Sequence, residues 1–400
     1  MNDPLNLLVI TTGFPRFIGD LFGAFIYEQV KALSDHGVHV RVVAPHEAGL
    51  YRAEKMGKIN VLRFLYMWPE KWQHVAYGGG IPTNISRSWL TRIQLPLFIL
   101  SFFGGVFKQR HGVQVIHCHW TVSGLIASWV FGKKIPIVLS VRGSDVKLFN
   151  NSLTKRFNRY IISRMDRVVA VSDDLADSLY KIGIEKQKIE IIPNGVSARF
   201  KPGNRVLCRQ MKDLPEEAFI VLFVGLFVPV KGLDVLIDAL SKWRTETDWK
   251  CVLVGDGPEE KDIADRILRH ELNRQFVFAG RQPVECIPAW MQAADVLVLP
   301  SRSEGRPNVA IEAQACGIPV VATRVGGTAE IVMDGKTGVL VDPENSDALE
   351  NALRIMKRNE NLRLEMGKRA NEFISEQGFT WKDNAEKLNN LYRKLLEEKV

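Results

Sequence analysis

The sequence contains few cysteines, and they lie far apart. Five occur among 400 residues, and no two form a Cys-x-x-Cys motif. An odd number at such separations argues against a disulfide framework, so we expect reduced, buried thiols in a cytosolic protein. The five residues are Cys118, Cys208, Cys251, Cys286 and Cys316.

Segments with the character of a signal peptide or a membrane span are also missing. The N-terminal sequence MNDPLNLLVITTGF has no basic start followed by the apolar run of a signal peptide. The longest strongly apolar stretch, Ile93 to Phe107, has 15 residues, whereas a membrane-spanning helix needs about 20. We therefore expect a cytoplasmic chain.

Acidic residues are scarce in the first half of the chain. Residues 1–200 contain 25 Lys and Arg but 14 Asp and Glu, whereas residues 201–400 contain 28 and 31. The imbalance is strongest over residues 51–164, which hold 17 basic and three acidic residues. The first half should therefore face an anionic partner, which could be a nucleic acid, a membrane surface or a phosphorylated small molecule.

Short apolar runs alternate with amphipathic segments along the first half. Runs that are apolar throughout predict strands of a parallel sheet that helices cover on both faces. The helix predicted at 21–34 has one broad apolar stripe, and Ser172 can cap another helix at 172–182. Strands are predicted at 5–12, 38–44, 113–118, 135–141, 167–171 and 188–194.

The polar segment 197–217 interrupts the alternation and predicts a domain junction there or at Pro193–Gly195. The alternation then resumes, which predicts an α/β protein with two doubly wound parallel-sheet domains. Because parallel sheets bind ligands outside the carboxyl ends of their strands, we expect the ligand site in the cleft between the domains. The later strands are predicted at 219–225, 250–255, 275–280, 295–300, 318–323 and 338–341, and helices at 232–243, 258–271, 284–293, 308–316, 346–357 and 381–399.

The segment 301–332 carries the groups best suited to chemistry. Glu304 lies in the loop after a predicted strand, Asn308 can cap the next helix, and Glu312 lies one turn further on the same face. Gly305 lets the backbone approach a ligand, and the N–H groups at the helix start can bind an anion. These groups suit a diphosphate and sugar hydroxyls, although one Glu-x7-Glu spacing is weak evidence by itself.

The whole string resembles the Glu-x7-Glu region of family 4 retaining glycosyltransferases of the GT-B fold, which has two Rossmann-like domains with an interdomain cleft. The loop TTGFP followed by FGAFIYEQVKAL is similar to subfamilies that build bacterial surface polysaccharides, including the teichuronic-acid type. The resemblance covers nearly the whole chain. Further similar segments are HCHW (117–120), RGSDV (142–146), IIPNGV (191–196), VLFVGLFVPVKGLDVLIDAL (221–240), VLVGDGPE (252–259) and FAG (278–280).

The resemblance implies an acceptor-binding domain over residues 1–195, a nucleotide-sugar-binding domain over 196–380 and a final helix, 381–400, that packs back on the first domain. It implies a retaining transferase that moves a sugar from a nucleotide sugar, by family frequency a UDP-sugar, to a hydroxyl of a glycan or lipid-linked glycan. No Asp-x-Asp motif occurs, so neither a metal nor a cofactor is expected. A lysine and a helix N-terminus can offset the charge of the departing diphosphate instead.

The resemblance also implies roles for single residues. Glu304 would align the transferred sugar, Lys231 would neutralise the diphosphate, and His119 would lie near the reacting sugar; these are the expected catalytic residues. Glu312 would bind the ribose hydroxyls, and Arg281 lies where contacts to the base are expected. No nucleophile is assigned. Further donor contacts are expected from Gly23, Gly305, Arg306, Pro307, Asn308 and Val309, and acceptor-side contacts from Gly13, Arg142 and Asp145.

Three positions depart from the family pattern. Leu226 follows Gly225 where the family usually has arginine, so one phosphate contact is missing or moved. Arg306 stands where an apolar residue is more frequent, and Arg142 where histidine is. Either arginine can replace the lost charge. A solvent-facing loop position explains Arg306 equally well, whereas the place of Arg142 after a strand favours a functional role.

The histidines of HCHW lie two residues apart at the end of a predicted strand. We expect His117 and His119 to point to opposite faces of the sheet. The resemblance places His119 at the cleft, although a buried, hydrogen-bonded structural histidine explains it as well. His117 is expected to be structural.

Basic residues flank the most apolar segment of the first half. Arg87, Arg92, Lys108 and Arg110 lie around residues 93–107, which suggests peripheral contact with the anionic inner face of the cytoplasmic membrane. A polyprenyl-diphosphate-linked acceptor would explain both features. A core helix with solvated basic ends explains the same pattern.

Other functions fit less of the sequence. An NAD-dependent oxidoreductase needs a Gly-x-Gly-x-x-Gly loop after its first strand, and TTGFPRFIGDLFG spaces its glycines differently. A nucleic-acid-binding module leaves the two carboxylates unexplained, so no nucleic-acid partner is expected. A sugar-nucleotide epimerase of the same fold stays an alternative. A catalytically silent homologue is another, because Leu226 stands where the family usually has arginine.

Overall fold

The computed structural model describes residues 4–20, 22–78, 80–142 and 152–399, so Asp145 lies outside the described residues. The chain divides into two compact units. The first domain contains the residues up to Gly195 together with those from Trp381 onwards, and the second domain is Val196–Thr380.

An eight-stranded sheet forms the centre of the first domain. Its strands are β1 (Asn6–Thr11), β2 (His39–Pro45), β3 (Ala53–Met56), β4 (Ile59–Phe64), β5 (Val115–His119), β6 (Ile137–Ser140), β7 (Arg167–Ala170) and β8 (Ile189–Ile191). They lie in the order β3-β4-β2-β1-β5-β6-β7-β8, and every neighbouring pair is parallel except β3 and β4. The central strands β5 and β6 are buried along their whole length, as continuous apolar runs predict.

Helices cover this sheet on both faces. They are α1 (Ala24–Asp35), α2 (Ile81–Arg87), α3 (Trp89–Lys108), α4 (Thr121–Phe131), α5 (Ser152–Ser163) and α6 (Asp173–Lys181). The N-cap predicted for α6 is present, because the Ser172 hydroxyl accepts a hydrogen bond from the N–H of Leu175 at 3.2 Å.

The second domain is built on a six-stranded parallel sheet. Its strands are β9 (Phe219–Val224), β10 (Trp249–Val254), β11 (Phe276–Gly280), β12 (Val296–Leu299), β13 (Val320–Thr323) and β14 (Gly338–Val341), in the order β11-β10-β9-β12-β13-β14. Its helices are α7 (Arg205–Met211), α8 (Leu233–Ser241), α9 (Glu260–Arg269), α10 (Ile287–Ala293), α11 (Asn308–Ala315), α12 (Ser346–Arg358) and α13 (Glu360–Glu376).

The C-terminal helix, α14 (Trp381–Glu397), completes the core of the first domain. Leu388 and Tyr392 are fully buried in the same cluster as Val9 of β1 and Val30 of α1. Helices α1 and α14 pack against each other, so the end of the chain covers one face of the first sheet.

All the predicted strands are present, but some elements differ from expectation. The hairpin of β3 and β4 and the helix α13 have no counterpart among the predicted elements, and the polar segment 197–217 contains α7. The apolar segment around 93–107 belongs to the 20-residue helix α3, so the expectation that it is too short for a span is wrong on length. Among the described residues this is the one helix long and apolar enough to cross a membrane, and a third of that stretch is buried in the domain.

One buried carboxylate holds both unpredicted helices of the second domain. Asp295 accepts hydrogen bonds from Arg209 of α7 and from the N–H of Ile220 in β9, each at 2.6 Å. Its other oxygen lies 2.9 Å from Arg205 of α7 and 3.4 Å from Arg363 of α13. Helices with charged inward faces thus pack on the sheet because a buried opposite charge compensates them.

The strand orders of both sheets reverse direction at one place. In the first sheet the chain leaves β1 towards β2 and β4 and then returns to β5 on the other side of β1. In the second sheet it leaves β9 towards β10 and β11 and returns to β12. Such switch points are where open α/β sheets bind ligands, at the carboxyl ends of the strands.

Replacing the buried carboxylate should destabilise the second domain strongly. In Asp295→Ala the guanidinium of Arg209 stays buried without its ionic partner, which should lower the free energy of unfolding by about 3–5 kcal/mol. Urea denaturation measures the loss. The matched control is Glu365→Ala, which removes an exposed ion pair with Arg369 and should cost about 0–1 kcal/mol. Equal losses in the two variants would contradict the role of Asp295.

Candidate functional site

The carboxyl ends of β9 and β12 bring a lysine and a glutamate together. Lys231 lies in a short 3-10 helix, Pro229–Lys231, and donates to Oε1 of Glu304 at 2.7 Å. The fully buried hydroxyl of Ser301 donates to the same oxygen at 2.6 Å. The Lys231 side chain keeps 24% of its surface exposed, so a cation and a carboxylate stand side by side at the switch point.

Arg302, which the sequence analysis did not single out, joins the two loops that carry this pair. Its N–H donates to the carbonyl of Val230 at 2.8 Å, and its guanidinium donates to the carbonyl of Pro229 at 2.5 Å. The same guanidinium forms a bidentate contact with Asp234 at 2.7 and 3.0 Å. Asp234 holds the pKa of Arg302 above its usual range, and the contacts fix Lys231 relative to Glu304.

Two glycines allow these loops to approach each other. Gly232 has φ of 66°, and an added Cβ would lie 2.1 Å from the carbonyl oxygen of Pro300. Gly326 has φ of 52°, and an added Cβ would lie 1.9 Å from the carbonyl oxygen of Glu304. Both positions therefore require glycine. The backbone of Gly326 packs directly against that of Glu304.

The N-cap of the helix after Glu304 lies one residue earlier than expected. Asn308 is the first residue of α11 and Pro307 occupies the N-cap position, so the predicted Asn308 cap is wrong. Proline fixes an extended backbone there without a side-chain hydrogen bond. Glu312 lies one turn into α11 and is half-buried, and Val309 is partly buried.

Arg306 is buried, which excludes the alternative of a solvent-facing loop arginine and leaves the functional one open. It retains 9% exposure, and its guanidinium carbon lies 4.3 Å from the centre of the Phe379 ring. Leu226, in the place of the usual arginine, is 42% exposed. Arg281 follows the last residue of β11 and is exposed, but β11 lies two strands away from β9. Gly305, Arg306 and Pro307 thus follow Glu304 directly in one loop, whereas Arg281 follows a different strand.

In the first domain, His117 and His119 lie on the same face of β5, contrary to the expectation of opposite faces. Their rings stack with centroids 4.7 Å apart. The expectation was wrong because side chains alternate along a strand, so residues two apart share a face. His117 contacts the hydroxyl of Tyr392 at 2.5 Å and that of Ser140 at 2.7 Å. Burial, followed by the charge of Arg142, lowers the pKa of His117 to about 3.

His119 ends β5 and is fully buried. Its Nδ1 lies 3.3 Å from Nη2 of Arg142, whose Nη1 donates to Asn194 at 2.9 Å. Burial, then His117 and the charge of Arg142, hold the pKa of His119 well below its usual range. Its Nε2 is buried without a hydrogen-bond partner within residues 4–20, 22–78, 80–142 and 152–399. The strand β5 therefore ends in a neutral imidazole, that of His119, whose Nε2 can form a hydrogen bond with a ligand.

The first strand–helix loop contributes two glycines to the same edge of the sheet. Thr11 pairs with His119 across β1 and β5, which places Gly13 beside that strand end. Gly23 caps α1 with φ of 73°, and an added Cβ would lie 3.1 Å from the carbonyl oxygen of Gly13. The close approach of the two backbones explains Gly23, whereas an added Cβ on Gly13 would lie 2.8 Å from the Phe22 ring. Arg142 has two partners that the sequence did not indicate, the Asn194 side chain and the Phe25 ring, whose centre lies 4.5 Å from the guanidinium carbon.

The site residues thus form one group in each domain. The second-domain group is Lys231, Ser301, Glu304, Gly305 and the start of α11, and the first-domain group is Gly13, Gly23, His119 and Arg142. Among the described residues, no cluster of three or more His, Cys, Asp or Glu side chains could hold a metal ion.

The two buried histidines should make stability depend on pH. Both stay neutral in the folded protein, whereas the unfolded chain protonates them below about pH 6.5. Their contribution to the free energy of unfolding is complete above that pH and falls by about 1.4 kcal/mol per pH unit for each histidine as the pH decreases. For His117 the fall ends near its folded pKa of about 3.

The difference in unfolding free energy between wild type and His117→Gln, measured from pH 7.5 to pH 4.5, isolates this effect. It should shrink with acidification by the stated slope. His36→Gln, at an exposed position, is the matched control for removing a histidine. A difference that stays constant over this pH range would mean that His117 has the same pKa in the folded protein as in the unfolded chain.

Comparison with known proteins identifies the family. Residues 23–200 match the family described as Glycosyltransferase Family 4, and residues 207–373 match the one described as Glycosyl transferases group 1. A protein of Methanocaldococcus jannaschii named as an uncharacterized glycosyltransferase is 32% identical over 290 residues, which are 72% of this chain and 77% of that protein.

Solved structures show the same fold over nearly the whole chain. The sucrose-phosphate synthase of Thermosynechococcus elongatus superimposes with a TM-score of 0.81 at 23% identity, covering 98% of this chain and 100% of that one. HepE of Anabaena, in complex with UDP-glucose, has a TM-score of 0.76 at 20% identity with the same coverage. With its two parallel-sheet domains, this chain is a glycosyltransferase and belongs to family 4 of the GT-B fold.

Proposed function

We propose that this glycosyltransferase is a retaining, metal-independent enzyme that moves a sugar from a UDP-sugar to a hydroxyl of a glycan or lipid-linked glycan in bacterial surface polysaccharide biosynthesis. The pairing of Lys231 with Glu304 at the switch point of the second sheet carries the proposal. It places positive charge for a diphosphate beside an acceptor for sugar hydroxyls, as a nucleotide sugar requires.

The donor proposal rests on charge and on one structural neighbour. A lysine ammonium has three donors, and Glu304 uses one of them, so Lys231 can contact phosphate oxygens without releasing Glu304. The amino end of α11 adds backbone N–H groups and the positive end of a helix dipole. The neighbour HepE was solved with UDP-glucose, which supports uridine as the base.

The proposed transfer breaks the bond between the anomeric carbon and the diphosphate oxygen. The acceptor hydroxyl oxygen bonds to that carbon on the same face, and its proton passes to the departing diphosphate oxygen. Negative charge develops on the diphosphate, where Lys231 and the start of α11 stabilise it, so no metal ion is needed for that role. Glu304 holds the sugar hydroxyls, and Glu312 those of the ribose.

His119 acts in this proposal as a neutral hydrogen-bonding group. Its depressed pKa, caused first by burial, excludes a standing positive charge at working pH. Its buried Nε2 can bind a hydroxyl of the transferred sugar, while Arg142 sets the orientation of the ring through Nδ1. The excess of basic residues in the first half suits an anionic acceptor such as a polyprenyl-diphosphate-linked glycan.

One observation favours a second candidate, a homologue that binds sugar nucleotides without transferring sugar. Leu226 is exposed in the place where the family usually has arginine, so one positive group for the diphosphate is missing at that position. Binding and catalysis must therefore be measured separately.

Binding is tested by thermal stabilisation with UDP-, GDP- and ADP-sugars. A ligand at 100 times its Kd should stabilise the protein by about 2.7 kcal/mol, and we expect this for a UDP-sugar. Glu312→Ala should weaken binding about tenfold or more, because it removes a charged acceptor of ribose hydroxyls. Glu365→Ala, on an exposed part of α13, should bind as wild type does. No stabilisation by any of these donors would refute the proposal.

Catalysis is tested with Lys231→Ala against the control Lys242→Ala, which removes an exposed ion pair to Asp347 in the same domain. Turnover of the bound donor should fall about 10²–10³-fold in the first variant, since charge stabilisation at the leaving group is lost, and should be unchanged in the second. The anomeric configuration of the product, read by NMR, should equal that of the donor. Binding without turnover in the wild type would favour the silent homologue, and an inverted product would exclude retention.

A further inference from the structure

The helix α3 has an apolar face that the first domain does not cover. Its inward side chains Phe98, Phe102 and Val106 are fully buried in the core. On the outward side, Leu100 is 68% exposed and Ile93 60%. We call the exposed large apolar side chains of this helix the α3 stripe; they are Trp89, Leu90, Ile93, Leu97, Leu100 and Phe107.

The α3 stripe runs continuously along the helix. Most of its members follow one another at spacings of three or four residues, with Gly104 between Leu100 and Phe107. At the helical period they fall within a sector of about 100°. A 20-residue helix is about 30 Å long, so the stripe is a narrow and extended surface.

Exposed tryptophans are concentrated in this part of the sequence. Four of the nine tryptophans are highly exposed, and all four lie between residues 68 and 129. Gln94 of α3 donates to the carbonyl of Trp72 at 2.8 Å, and α4, which carries Trp129, packs against α3. Tryptophan rings combine an apolar body with a polar N–H and are enriched at the boundary of lipid bilayers.

The charged residues in the part of the sequence around α3 are all basic. From Lys71 to Ser144 the sequence contains eight Lys and Arg and no Asp or Glu. Arg92 and Lys108 are exposed towards the two ends of α3, and the guanidinium of Arg110 lies 3.7 Å from the centre of the Phe107 ring. An anionic surface that contacts the α3 stripe would thus meet basic side chains at the two ends of the stripe. It would meet no acidic side chain from residues 71–144.

We propose that the α3 stripe, with Trp72, docks on an anionic lipid bilayer, with α3 lying in the plane of the head groups. Its apolar side chains enter the boundary of the acyl chains, and Arg92 and Lys108 contact lipid phosphates. The inference goes beyond the proposed transfer reaction and does not depend on it.

Two other arrangements of this surface fit the observations less well. A transmembrane orientation would require α3 to leave the core, where Phe98 and Phe102 pack against the Phe64 ring of β4 at centroid distances of 5.2 and 4.5 Å. A second copy of this chain would bring the basic margins of two stripes together without an acidic residue of this segment to neutralise them.

The test is co-sedimentation of the full chain with vesicles of phosphatidylcholine alone or with 30 mol% phosphatidylglycerol. We expect binding to the anionic vesicles that weakens on raising the salt from about 50 to 500 mM. Leu97→Glu/Leu100→Glu should weaken binding about 100-fold or more, because two carboxylates replace buried acyl contacts. The matched control is Leu364→Glu on α13, a leucine 58% exposed in the second domain, which should bind as wild type does.

A second variant keeps the test independent of folding. Arg92→Gln/Lys108→Gln leaves the apolar stripe intact and should weaken binding to anionic vesicles by about fivefold for each charge removed. Equal recovery of the wild type in the supernatant with and without anionic vesicles would overturn the proposal. Concentration-dependent dimerisation that Leu97→Glu/Leu100→Glu abolishes, without vesicle binding by the wild type, would also overturn it and assign the stripe to a second copy. UDP-sugar binding by the same samples reports the proposed function separately.

Discussion

The buried carboxylate of Asp295 is the contact on which the geometry of the second domain depends. At the amino ends of β9 and β12 it accepts a hydrogen bond from Ile220 and so joins the two strands. At their carboxyl ends the same strands lead into the loops that present Lys231 and Glu304. The Asp295 contacts therefore fix β9 and β12 at their amino ends, and the ion pair of Lys231 with Glu304 joins the loops at their carboxyl ends. The alignment of that ion pair depends on the alignment of the two strands.

Much of this arrangement follows from apolar patterning and short motifs. Strands buried on both faces are continuous apolar runs, and a parallel sheet with a switch point follows from their alternation with helices. The positions of Glu304 after β12 and of His119 at the end of β5 could be predicted in the same way, because a motif at the end of a predicted strand lies at the carboxyl edge of the sheet. The resemblance to a family supplied the roles, which the residues alone do not specify.

The remaining features depend on contacts between distant residues. The hairpin of β3 and β4 was missed because Arg63 interrupts the apolar pattern of β4. The Arg63 side chain is buried among partners from other parts of the chain, which are Glu54 at 2.6 Å, the Pro15 carbonyl at 2.6 Å and the Tyr77 hydroxyl at 3.0 Å. The helices α7 and α13 were missed because Arg209 and Arg363 face inwards, which an amphipathic pattern does not anticipate. The burial of Arg306 likewise depends on Phe379, a residue 73 positions further along the chain.

The contact between Tyr392 and His117 has a consequence for the order in which the protein is made. Tyr392 lies on α14, and the residues of the second domain, Val196–Thr380, separate that helix from the rest of the first domain. The ribosome therefore completes the entire second domain before it supplies the hydroxyl group that His117 contacts. During synthesis the core of the first domain therefore lacks α14 until the second domain has been made. The second domain is thus the first of the two to have all of its residues available for folding.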